Sequence, residues 1–201
     1  MTKVIFVRHG ETSWNYSKRY QGHSDILLND KGLQQAQLVA QRLAGETISA
    51  IYSSDLKRAV QTADLIAGHH SLCPILVPEL REVNFGLWEG LTYEEIMSTW
   101  PDGLSAIYAK PGCAPIPGGE SFNDVQRRTM LGLSKCIARH QEETIVLVSH
   151  GGTMRVLLCD ALGLDIEKMW SLRQDSTAIN IVEYYEMTQV VSLVNDTCHL
   201  R

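Results

Sequence analysis

Arg8-His9-Gly10-Glu11-Thr12 near the start of the chain and His150-Gly151-Gly152 far along it each set an imidazole directly before glycine, and Arg58 and Glu82 lie between them. Two histidines, two arginines and one carboxylate suit phosphoryl transfer, which is catalysed mainly by positioning and by stabilising charge on the equatorial oxygens of the moving group. A guanidinium stays protonated and offers parallel N–H donors to two oxygens, which a lysine does less specifically. A neutral imidazole can attack phosphorus and carry it as a phosphoramidate, splitting one hard displacement into two easier ones. A carboxylic acid can then protonate the departing alkoxide. Singly, each residue has a plainer reading. An Arg-His pair is a common surface feature, Glu82 could be solvated or paired with Arg81, and Arg58 could salt-bridge at a helix start. That last place is unhelpful for a cation, because the N-terminal end of a helix is already positive, so a bound anion gives Arg58 a better reason to be there.

To share one site these residues must be carried together, and the apolar pattern indicates how. Val4 to Val7, closed by Gly10, reads as a buried strand. Asn29 is a candidate N-cap for a helix with Leu33, Ala36, Val39 or Ala40, and Leu43 at helical spacing, stopped by Gly45. Ala50 to Tyr52 is a second strand. Ala59, Val60, Ala63, Ile66 and Ala67 make a helix ending at Gly68, and Ile75 to Val77 is a third strand. Thr92-Tyr93-Glu94-Glu95 is spaced as a capping box for a short helix that Pro101 ends, and 101–119, with Pro111, Pro115, Pro117 and Gly118-Gly119, reads as irregular surface loop with some short helix. Ser121 caps a helix to about His140, Thr144 to Val148 is a fourth strand, Thr153 to Leu162 a helix, and Thr177 to Val182 and Val190 to Val194 are closing strands. This alternation predicts a three-layer α/β/α sandwich with a mostly parallel sheet, formed as a single domain over 1–201 with a candidate lid at about 85–120. In such sheets the ligand crevice lies beyond the carboxyl ends of the strands, where Arg8, His9, Arg58, Glu82 and His150 all fall.

The motifs extend past these five. Asn15, Gln21-Gly22, Leu28-Asn29-Asp30-Lys31-Gly32, Ser53-Ser54-Asp55-Leu56-Lys57-Arg58-Ala59, Leu80-Arg81-Glu82 with Phe85-Gly86-Leu87-Trp88-Glu89-Gly90, Gly118-Gly119-Glu120-Ser121 and Val148-Ser149-His150-Gly151-Gly152 follow Arg8-His9-Gly10 in order. In that order the chain resembles the histidine phosphatase superfamily, the phosphoglycerate mutase-like family, over nearly its whole length. The resemblance implies that family's fold and metal-independent hydrolysis of a small phosphorylated metabolite, without a cofactor. It implies His9 as nucleophile and Glu82 as proton donor; should Glu82 fail a test of that role, Glu11 is the next candidate. It places Arg8, Arg58 and His150 in the phosphate pocket, and Asn15, Gln21, Gly22 and Gly151 in contact with phosphate or substrate. The text around Val77-Pro78-Glu79-Leu80 and Phe85–Gly90 looks most like α-ribazole phosphatases and related broad-specificity enzymes, which would make α-ribazole 5'-phosphate the substrate. Phosphoserine phosphatases look similar too. Mutases of the superfamily are typically longer, and a non-catalytic phosphate-binding module is disfavoured because all five chemical positions hold competent residue types.

Composition sets outer bounds. The 201 residues are 44% apolar and 20% charged with net charge −5, an ordinary globular balance that argues against the broad basic surface of a nucleic-acid binder and leaves room for a small anionic substrate in a locally positive pocket. No apolar run is long enough for a membrane span and no secretory pattern opens the chain, so a cytoplasmic protein is expected. The five cysteines are scattered and read as reduced thiols. His69-His70, at a helix end without a third ligand nearby, reads as a solvated turn, and no metal site is expected. Trp88, Tyr93, Trp100 and Tyr108 read more readily as packing than as ligand contacts.

Overall fold

The computed structural model describes residues 1–201. Six strands form one sheet in the order β3-β2-β4-β1-β5-β6. They are β1 (Thr2–Arg8), β2 (Ala50–Ser53), β3 (Ile75–Leu76), β4 (Thr144–Ser149), β5 (Ile179–Tyr184) and β6 (Gln189–Asp196). The pairs β1–β4, β4–β2 and β2–β3 are parallel, and β5 and β6 add an antiparallel flank. The sheet is therefore mostly parallel, as its alternating sequence implies.

Period-two alternation along the strands builds two cores. Val4, Phe6, Tyr52, Ile145 and Leu147 point to one face, where α6 (Phe122–Ala138) and α7 (Gly151–Ala161) supply Leu133, Cys136, Met154, Leu157 and Leu158. Ile5, Val7, Ile51, Val146 and Val148 point to the other, against Val39, Ala40 and Leu43 of α2 (Asp30–Leu43) and Ala59, Ala63 and Ile66 of α3 (Lys57–Ala67). Strands buried on both faces need apolar residues at every position, which is why β1 and β4 read as continuous runs rather than alternating ones. Asn29 caps α2 by accepting from the Gly32 N–H, and Ser121 and Asp124 close a reciprocal capping box on α6. No helix is long and apolar enough to cross a membrane.

Strands β1, β2, β4, β5 and β6 run one or two residues past an expected end; three other boundaries and one added helix have local reasons. The third strand stops at Leu76, because the chain turns at Val77 into the 3₁₀ turn Pro78–Leu80. The helix expected from Thr153 starts two residues earlier, at Gly151, with His150 as its extended N-cap. The strand expected from Thr177 begins at Ile179, since Thr177 itself has φ +56° and cannot join a ladder. A further short helix, α1 (Ser13–Tyr16), is started by a Thr12–Asn15 capping box too brief for periodicity to reveal.

The largest correction concerns 101–119. Pro101 does end α4 (Tyr93–Thr99), but it also opens α5 (Pro101–Ala109) as a first-turn proline, where its missing N–H costs nothing. The rest of the stretch, 110–119, is irregular as expected, but the stretch does not lie wholly on the surface. Leu104, Ile107, Ala114 and Ile116 are buried with Trp88, Ile96 and Phe122 in a third core lying against α6 and α7. Accordingly, Leu104→Ala should cost about 2–5 kcal/mol in urea unfolding with an unchanged m-value. Leu87→Ala, in the 3₁₀ turn before α4 and 62% exposed, should stay within about 0.5 kcal/mol.

Candidate active site

The register of β1 on β4 pairs Arg8 with Ser149, so His9 and His150 both follow one residue past adjacent parallel strand ends. The His9 N–H donates to the Ser149 carbonyl at 3.0 Å, and the two imidazole centroids are 5.1 Å apart, edge to face. On the other side of β4, the Ser54 N–H donates to the Val148 carbonyl, and the chain then enters α3 with Arg58 in its first turn.

Hydrogen bonds assign both rings. His9 Nδ1 lies 2.7 Å from the Gly10 carbonyl, which can only accept, so Nδ1 carries the proton and Nε2 keeps its lone pair. His150 Nε2 is 2.8 Å from Ser54 Oγ, which already accepts from the Leu56 N–H. His150 Nε2 is the one acceptor within reach of this buried hydroxyl, so Ser54 Oγ–H donates to Nε2 and His150 Nδ1 carries the ring N–H, buried and without a partner. Burial first, then the charges of Arg58 and Arg8, push His9 well below the ordinary histidine range against the pull of the Gly10 carbonyl. His150 is pushed down likewise by burial and then by Arg58 and His9. Both rings are neutral at neutral pH.

Two arginines face these rings. Arg8 Nη1 donates to the Gln174 carbonyl at 2.6 Å, and Arg58 donates from Nη1 to Ser24 and from Nη2 to Gly22, at 2.8 and 2.7 Å. Arg58 forms no ion pair, so the salt-bridge reading of it fails, and burial draws its pKa down to about 10. In each guanidinium the Nε–H is buried and has no protein partner. Gly22 has φ +52°, and a Cβ there would fall 2.0 Å from Glu89 Oε1, so only glycine lets this loop turn its carbonyl toward Arg58.

Glu82 sits on the first turn of α7. Its Oε2 accepts from the Gly152 N–H at 2.9 Å, and Oε1 accepts from Thr153 and Val83 N–H groups at 3.1 and 3.0 Å. Helix N-termini leave such donors free, and here they orient a carboxyl group at the pocket. A Cβ on residue 152 would lie 2.6 Å from Glu82 Oε1, so glycine is required for the close approach. Arg81 pairs with Asp55 rather than with Glu82. Glu11 is engaged by Asn29 and Lys31 at the start of α2, away from the pocket.

One cavity of about 260 Å³ is lined by Arg8, His9, Arg58 and Glu82 and also by the expected contact residues Asn15, Gln21, Gly22 and Gly151. Asn15 Oδ1 accepts from the Thr12 N–H and Gln21 Oε1 accepts the one proton of the Thr12 hydroxyl at 2.9 Å, so both present their amide NH₂ groups as donors. His150 is fully buried and lies outside the lining, reaching the site through its contact with His9. Sequence reasoning missed Ser54, which sets the His150 tautomer, Gly152 and Thr153, which seat Glu82, and Arg155 in the pocket wall. The second glycine of Gly151-Gly152 was the available signal for the seat, and Arg155 stands one helical turn beyond Gly151. Trp88 is core, Tyr93 is exposed, and Tyr108 joins the pocket lining.

Comparison with known proteins gives a concordant result. The family model described as histidine phosphatase superfamily (branch 1) matches residues 4–197. The chain is 38% identical over 200 residues to phosphoserine phosphatase 1 of Hydrogenobacter thermophilus, covering 100% of this chain and 95% of that protein. Among solved structures, Bacillus stearothermophilus YhfR superposes with TM-score 0.96 at 32% identity, covering 100% of both chains. The α-ribazole phosphatase from Shigella flexneri superposes with TM-score 0.88 at 27% identity, covering 96% of each.

The two neutral histidines give stability a defined pH dependence. Unfolded, each takes up a proton near pH ~6.5, so below that the unfolded chain binds more protons than the folded one. Their contribution is thus full above pH ~6.5 and is lost as pH falls toward the depressed folded values. Comparing urea unfolding of wild type and His9→Gln from pH 7 to 5 should show the wild-type slope steeper by up to about 1.4 kcal/mol per pH unit.

Proposed function

Since the chain belongs to branch 1 of the histidine phosphatase superfamily and is a phosphatase-type hydrolase, we propose that it hydrolyses a small phosphomonoester through a phosphohistidine on Nε2 of His9. The observation that carries this reading is a set of buried nitrogens around His9 that have no protein partner: Arg8 Nε, Arg58 Nε and His150 Nδ1. Buried donors are rarely left unpaired, because each costs on the order of 1–3 kcal/mol, and three on one site call for a ligand with several acceptor oxygens. A phosphoryl group has them.

The Nε2 lone pair attacks phosphorus as the P–O bond to the leaving group breaks, and the developing alkoxide takes a proton from Glu82. The imidazolium that results keeps its Nδ1–H on the Gly10 carbonyl. Water then attacks the phosphoramidate and gives its proton to the Glu82 carboxylate, the P–N bond breaks, and inorganic phosphate leaves with His9 neutral again. Glu82 Oε2 has a single protein partner and so retains room for the transferred proton. The arginines supply the positive charge and, with the neutral His150, the donors for the equatorial oxygens, a role metal ions fill elsewhere.

For the substrate, the relatives favour phosphoserine over α-ribazole 5'-phosphate, at 38% identity against 27%. A cavity of about 260 Å³ also suits a three-carbon phosphomonoester better than a nucleotide-sized one. The segment at about 85–120 walls this cavity through Phe85 and Tyr108, and as a lid it would open at the 3.2 Å contact between the Tyr20 and Tyr108 hydroxyls.

Wild type quenched during turnover should carry phosphate in an acid-labile, base-stable linkage on the peptide containing His9, and His9→Ala should lose both label and turnover. Label on a serine, cysteine or aspartate would reject the mechanism. Glu82→Gln should lower kcat/KM for alkyl phosphates such as phosphoserine by about 10²–10⁴-fold and for p-nitrophenyl phosphate far less, since a phenolate departs without a proton. Equal losses on both would remove Glu82 from the donor role.

A further inference from the structure

Arg155 has no part in the chemistry above, yet it lines the same cavity. It projects from α7, where Nε donates to the Leu172 carbonyl at 2.8 Å and Nη1 to the Gly151 carbonyl at 3.1 Å. Its guanidinium carbon lies 5.7 Å from the centre of the Trp170 ring. Two carbonyls and a ring therefore fix the orientation of this side chain, and Nη2 is left without a hydrogen-bond partner. Arg155 takes no part in any of the chain's ion pairs. By contrast Arg19, another cation of the pocket lining, is occupied by Glu95 and the Gly90 carbonyl.

A partly buried, rigidly held guanidinium without a counter-ion is costly unless an anion arrives with the ligand. That anion need not be the phosphoryl group, for which Arg8, Arg58 and His150 already offer donors. The two guanidiniums are close: Arg8 Nε and Arg155 Nη1 each lie 3.3 Å from the point a Cβ on Gly151 would occupy. A second anionic group would thus have to sit only a few bonds from phosphorus. We infer that Arg155 is the specificity-determining residue of this enzyme and holds the carboxylate of a short phosphorylated carboxylic acid, the carboxylate lying on the leaving-group side. The inference rests on the phosphatase reading above and adds to it the part of the substrate that Arg155 recognises.

The measurement compares phosphoserine with phosphoethanolamine, which keeps the primary phosphate ester and the ammonium and lacks only the carboxylate. Each is assayed as kcat/KM with wild type, Arg155→Met and Arg155→Lys. Wild type should prefer phosphoserine, and Arg155→Met should reduce the phosphoserine to phosphoethanolamine ratio by roughly 10–100-fold, the worth of a charge-assisted hydrogen bond. Arg155→Lys should restore part of that ratio. Because the readout is a ratio within one preparation, loss of folded enzyme cancels from it. A ratio that Arg155→Met leaves unchanged, or a wild type indifferent to the carboxylate, would overturn the assignment while leaving phosphate release and the label on His9 intact. No phosphate release and no label on His9 from either compound would instead overturn the phosphatase reading, and this inference with it.

Discussion

Three guanidinium groups without an ion-pair partner, those of Arg8, Arg58 and Arg155, share the wall of one small cavity, and Glu82 is the carboxylate whose field reaches all three. Burial works against the charge of each, and Arg8 is further disfavoured by Arg155 and Arg58 by Arg8. Charge concentrated in this way has to be held by fixed dipoles, since further carboxylates would neutralise the field that an anionic ligand needs. The protein meets the constraint with backbone carbonyls. Gln174 serves Arg8, Gly22 and Ser24 serve Arg58, and Leu172 and Gly151 serve Arg155.

Carbonyls hold a charge in place only if their loops are held as well, and much of the polar structure away from the site does this. Gln174 and Asn180 exchange amide hydrogen bonds at 2.9 Å in both directions, while Asn180 also accepts from the Asn195 N–H, which ties the loop behind Arg8 to β5 and β6. Glu89 accepts from the backbone of His23, Ser24 and Phe85 and from the Ser24 hydroxyl, so one carboxylate joins the loop that faces Arg58 to the segment after Glu82. Arg128, paired with Glu120, donates to the carbonyls of Glu79, Arg81 and Glu82 and so fixes the backbone from which the Glu82 side chain departs. The same segment is packed from beneath by the third core of Trp88, Leu104, Ile107 and Phe122. Positioning to within a fraction of an ångström is what phosphoryl transfer asks of a protein, and here it is distributed largely over residues that do not line the cavity.

The sheet contributes the remaining geometry. Parallel pairing of β1 with β4 brings two histidines far apart in sequence to within 5.1 Å. The opening of α7 beside them turns two backbone N–H groups toward Glu82. Open α/β sheets place ligands at such strand ends, where a crevice forms between adjacent strands whose connections leave in opposite directions. In this chain β1 continues through α2 to β2 on the far side of β4, and β5 lies on the opposite side of β1.

Taken alone, the sequence determined the sheet-forming runs, the capped helices α2 and α6, and the set of competent residue types His9, Arg8, Arg58, Glu82 and His150, because periodicity, caps and side-chain chemistry are local properties. It was also enough to suggest the family through the order of its motifs. Tertiary structure decided what depends on residues distant in the chain. That α5 and the irregular chain after it contribute buried residues to a core follows from Trp88 and Phe122, which no local pattern connects to Leu104. That His150 donates through Nδ1 follows from Ser54, which lies 96 residues away. Arg155 reads in sequence as an ordinary helical arginine, and only the fold sets it in the cavity wall with no carboxylate to pair with. Hydrogen-bond partners and counter-ions are fixed by what packs alongside, and a linear pattern carries no record of that.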